Sequence, residues 1–101
     1  MPDQYVLLTE DERDDVVVEF YAAQERDLFC HRLNRNRYAA MLATLKESDF
    51  RDRVVKLAAE TDARIKEVEA IIAATLSQLP SGERLQAAAD RLVAKRAAPL
   101  P

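Results

Sequence analysis

The chain has 101 residues, 49% apolar and 33% charged, with 15 basic and 18 acidic side chains for a net charge of −3. It is one small domain at most, too apolar for a disordered chain and too acidic overall to be drawn strongly to nucleic acid. A single cysteine, Cys30, excludes an intrachain disulfide, and a single glycine, Gly82, excludes a glycine-rich phosphate loop.

Asp3-Gln4-Tyr5-Val6-Leu7-Leu8 opens the chain with no basic run ahead of its apolar residues, so a signal peptide is not expected and a cytoplasmic location is. Tyr5–Leu8 is too short for a stable strand of its own and is expected to pack over the helices or over a partner. Thr9-Glu10-Asp11-Glu12 then has the form of a capping box. From Asp3 to Leu79 there is neither glycine nor proline. Average usage would put about nine of them there. Long helices are the simplest way to fill such a span.

The first helix is placed at about 10–47, with Asn34 and Asn36 as its weakest helix formers and a possible kink. Ser48 is the next N-cap, and the second helix runs from about 49 to 79, where Pro80 stops it. Ser81 can cap a third, alanine-rich helix at about 82–97. At 1.5 Å per residue the first two helices measure roughly 57 and 46 Å. The short connection between them implies an antiparallel hairpin, so the expected fold is all-α: a long helical hairpin plus a short C-terminal helix, completing a bundle by oligomerisation.

The second helix carries one apolar stripe, Phe50, Val54, Leu57, Thr61, Ile65, Val68, Ile72, Thr75 and Leu79, with one 3-4-4 segment where a supercoil would unwind locally. Asp52, Lys56, Glu60, Lys66 and Glu67 form its solvated side. The first helix has two stripes. Val17, Tyr21, Gln24, Leu28, His31, Arg35, Tyr38, Leu42 and Leu45 alternate by four and three. Val18, Ala22, Phe29, Leu33 and Ala40 lie roughly 150° away at 100° per residue. A helix apolar on two sides needs neighbours on two sides, so the second stripe is the expected partner interface. A second copy, giving an antiparallel homodimer centred near residues 28–29, is the simplest occupant.

Gln24, His31 and Arg35 interrupt the first stripe as a polar cluster that fixes register or partner choice. Cys30 and His31 are adjacent, so on a helix they diverge by about 100° and cannot clamp one ion or act as a nucleophile–base pair. Cys30 reads as a small buried apolar residue. No catalytic residue, metal or cofactor is expected.

Charge is segregated: residues 1–27 carry nine acids and two bases, and residues 28–46 carry four bases and no acid. Arg32, Arg35 and Arg37, interleaved with Asn34, Asn36 and Tyr38, are possible phosphate contacts. The alternative is intramolecular pairing of Arg35 with Asp62 and of Arg37 with Glu60. The acidic start, Glu10 to Glu19, serves the helix dipole or imitates a polyanion to inhibit a nucleic-acid-binding protein. The leading expectation is a non-catalytic interaction or assembly protein that works by helix-on-helix packing. A nucleic-acid-associated accessory protein and a small acidic inhibitor are the alternatives.

Overall fold

The first helix begins where the sequence caps it. Thr9 Oγ1 accepts the Glu12 N–H at 3.1 Å, and Glu12 Oε1 accepts the Thr9 N–H at 2.9 Å. Two otherwise unmatched donors are thus satisfied reciprocally. The computed structural model of the chain describes residues 7–97, and they form α1 (Glu10–Leu42), α2 (Asp49–Leu76) and α3 (Gly82–Ala97). The fold is all-α, with α1 packed against both α2 and α3. Tyr5 and Val6 lie outside the described residues; Leu7 and Leu8 are exposed.

The helix α1 is continuous through Asn34–Asn36, so the two asparagines do not break it. Their low propensity costs only a few tenths of a kcal/mol each, and neighbouring turns already fix the backbone. It does, however, end at Leu42 rather than near 47. The Met41 carbonyl accepts both the Thr44 N–H at 3.1 Å and the Leu45 N–H at 2.9 Å, and the Thr44 hydroxyl donates to it at 3.3 Å. That local competition closes the helix without glycine. Ser48 then caps α2, its Oγ accepting the Arg51 N–H at 3.1 Å. The second helix tightens at its end, with Gln78 N–H on the Thr75 carbonyl and Leu79 N–H on that of Leu76, so it stops at Leu76 rather than at 79. Gly82 opens α3 with φ at 59°, a conformation that favours glycine.

The residues divide into two compact units. One is Ala23–Ala74, the antiparallel pairing of the later part of α1 with α2. Its core is Leu28, Val54, Ile65, Val68 and Ile72. The other joins residues up to Ala22 with those from Thr75 onward, and buries Val18, Thr75, Pro80 and Ala88 together with Asp14.

The inward row of α2 differs from the expected stripe at two points. Leu57 is 43% exposed and Phe50 is exposed as well, whereas Ala58 is half-buried. The inward residues are therefore Val54, Ala58, Thr61, Ile65, Val68, Ile72 and Thr75. Their steps alternate four and three throughout, so the 3-4-4 irregularity is absent.

Candidate functional site

The second stripe of α1 has two different environments. In the unit that joins residues up to Ala22 with those from Thr75 onward, Val18 is buried and Ala22 half-buried. The cover there is α3, which runs parallel to α1: Arg84 reaches Glu10 and Asp14, Arg91 reaches Asp11 and Asp15, and Lys95 reaches Glu19. In the Ala23–Ala74 unit the same stripe is open. Phe29 is 63% exposed, Leu33 is 43% exposed, and Ala40 is exposed too.

The α3 contacts combine the buried Ala88 with charge-assisted hydrogen bonds. Arg84 binds Asp14 through Nε at 3.0 Å and Nη2 at 2.7 Å, and Arg91 Nε donates to Asp15 at 2.8 Å. Hydrogen bonding from Arg84 holds the Asp14 carboxyl below the usual carboxylate range, against the opposing effect of its burial. The Glu12 carboxyl is lowered as well, by its bonds to the backbone and side chain of Thr9. Arg84, Arg91 and Lys95 were not apparent as a site from the sequence. Their spacing of seven and four residues puts them on one edge of α3, and that regularity was the available signal. A cavity of about 60 Å³ lies between Asp15, Glu19, Ala88, Arg91, Leu92 and Lys95. It has room for water only, since small-molecule sites usually measure about 300–1,000 Å³.

The polar cluster of the first stripe is partly inward. Gln24 and His31 are half-buried and Arg35 is exposed. Gln24 Oε1 is buried with no hydrogen-bond partner, and His31 Nε2 lies 3.3 Å from Asp27 Oδ1, one turn back. Asp27 also meets Arg64 at 3.4 Å. Cys30 is exposed, contrary to the expectation of burial, because it lies about 130° from the α2-facing stripe.

The expected pairings of Arg35 with Asp62 and of Arg37 with Glu60 do not form. The pairs between these helices are instead Arg32 with Glu69 at 3.0 Å and Arg64 with Asp27 at 3.4 Å, which flank the seam on opposite sides. Among the described residues Arg26, Arg35 and Arg37 make no ion pair. The described residues contain no cluster of three His, Cys, Asp or Glu side chains that could hold a metal ion, and none of their helices is long and apolar enough to cross a membrane.

No family model, no curated protein and no solved structure matches the chain.

Proposed function

We propose that this chain is a non-catalytic interaction or assembly protein that recognises a partner by helix-on-helix packing, through the part of α1 that carries Phe29, Leu33 and Ala40. The observation behind the reading is the exposure of Phe29 and Leu33 on the same stripe whose earlier residue Val18 is buried. Exposed large apolar side chains in a row on a rigid helix are a surface that small proteins usually reserve for a partner. The occupant is a second copy of the chain or another protein. A cytoplasmic location belongs to the same proposal.

A nucleic-acid-associated role is the second reading, supported by Arg35 and Arg37, which are exposed and make no ion pair among the described residues. The acidic-inhibitor reading lacks comparable support. Glu10, Asp11, Asp14, Asp15 and Glu19 face the basic edge of α3, which already matches the charge a basic partner would need.

Crosslinking and light scattering of the native protein, wild type against Phe29→Glu with Leu33→Glu, test the main reading. Loss of the partner with unchanged helicity supports it. A native complex that tolerates both substitutions removes it, and a steeply salt-dependent complex with oligonucleotides moves the assignment to the second reading.

A further inference from the structure

Resting on that reading, we propose that the open part of the α1 stripe takes an acidic amphipathic helix from another protein. The covered part of the stripe supplies the rule. There the stripe is bordered by carboxylates at 11, 14, 15 and 19, and the helix that covers it offers an apolar row with basic groups at 84, 91 and 95. Small side chains such as Ala88 let the two helices approach, and the charges set the direction and register.

The open part has the sign reversed along one edge, while its other edge carries Glu25 as well as Arg32. At 100° per residue Phe29, Leu33 and Ala40 centre on one line. Arg26 lies roughly 40° and Arg37 roughly 60° to one side of it, and Arg32 lies roughly 80° to the other. Arg26 and Arg37 are exposed and unpaired among the described residues, and Arg32 is half-exposed beside Glu69. Residues 25–40 carry four arginines against Glu25 and Asp27. Arg26 and Arg37 are eleven residues apart, as are Arg84 and Lys95, a separation of about 16 Å along the axis. Two carboxylates eleven residues apart on the edge of an incoming helix would meet them as Arg84 and Lys95 meet the acidic half.

A second copy fits this surface less well. Face-to-face pairing of residues 25–40 would set arginines of one copy against those of the other. Most of the acids that would relieve this, Glu10, Asp11, Asp14, Asp15 and Glu19, already pair with α3. A duplex or single strand fits less well again. Two unpaired arginines beside an apolar row offer few phosphate contacts, and Phe29 and Leu33 would gain nothing from a polyanion.

A displayed library of amphipathic helical peptides, with a constant Leu/Ala row and flanks randomised among Glu, Lys and Gln, provides the probe against the full chain. The expected pool is enriched in Glu along one edge. Its binding should fall by about tenfold or more with Arg26→Glu plus Arg37→Glu and with Phe29→Glu plus Leu33→Glu, at unchanged circular dichroism. The arginine-reversed chain should in turn select Lys-flanked peptides. A wild-type pool rich in Lys or Gln overturns the acidic partner but leaves the interaction reading intact. A pool indifferent to Phe29→Glu plus Leu33→Glu, or no binders at all, overturns both. A wild-type dimer in light scattering that Phe29→Glu dissociates makes the occupant a second copy, and displacement of the pool by an oligonucleotide makes it nucleic acid. Either result overturns the acidic helix.

Discussion

Arg84 and Asp14, 70 residues apart in sequence, form a two-pronged pair with Nε on Oδ2 at 3.0 Å and Nη2 on Oδ1 at 2.7 Å. Among the described residues Asp14 is one of two polar residues that are buried, so its charge is shielded from water on most sides and depends on Arg84. Because α3 contributes only Ala88 as a fully buried residue, this pair adds to the packing of Ala88, Ala89 and Leu92 in docking α3.

Acid should therefore loosen the protein in a defined window. The Arg84 bonds lower the folded-state pKa of Asp14, and Thr9 lowers that of Glu12. In the unfolded chain these carboxyls titrate near about 3.9 and 4.3. Their stabilisation is complete above those values and is lost as pH falls through the lower folded-state values. Thermal melts between neutrality and pH 3 should show a midpoint that drops more steeply below about pH 4 in the wild type than in Asp14→Asn, which lacks the Asp14 contribution. Equal slopes would remove Asp14 from the account.

Core substitutions should follow the observed row of α2. Val68 has no exposed surface, and its change to alanine should cost about 1.5–3 kcal/mol in a urea titration. Leu57→Ala should cost less than about 1 kcal/mol, since almost half of that side chain is already in water. A larger loss at 57 than at 68 would restore the irregular stripe.

Much of this architecture was legible in the sequence, because it depends on signals that act locally. Thr9 with Glu12, Ser48 with Arg51, and Gly82 after Pro80 each settle a boundary through one or two backbone groups. What the sequence left open depends on packing or on reach. Leu57 outweighs Ala58 in hydrophobicity, yet the regular alternation of four and three turns Ala58 inward. Arginine side chains extend over more than a helical turn, so level-by-level pairing favours Arg37 with Glu60, while the pairs that form are Arg32 with Glu69 and Arg64 with Asp27. The end of α1 depends on a Thr44 hydroxyl bond, for which no glycine or proline gives warning.

Double-mutant cycles should recover the observed pairs. Arg32 and Glu69 are each about half-exposed, so their coupling should be about 0–1 kcal/mol and should shrink in high salt. Arg37 and Glu60 should show no coupling beyond error. A clear coupling between Arg37 and Glu60 would return the arginines to the intramolecular pairing read from the sequence.

The backbone at Gly82 offers a separate check. A Cβ placed there meets nothing within 4 Å, so the cost of Gly82→Ala comes from φ alone. It should be about 1–2 kcal/mol, and Gly82→Asn should recover part of it. A neutral Gly82→Ala would mean that the entry to α3 relaxes readily to negative φ.

The separation of partners along the chain also sets an order of events in folding. The α1–α2 pairs close 37 residues of chain, whereas the α1–α3 pairs close 70 and 76. Loop closure grows costlier with length, and α3 can reach α1 cheaply only after α2 has brought the chain back. The hairpin then forms the nucleus and α3 docks late. Changes at Arg84 or Ala88 should accelerate unfolding and leave the folding rate nearly unchanged, whereas changes at Ile65 or Val68 should slow folding itself in stopped-flow measurements. The rate at which α3 leaves, rather than overall stability, therefore decides how often Val18 and Ala22 are uncovered.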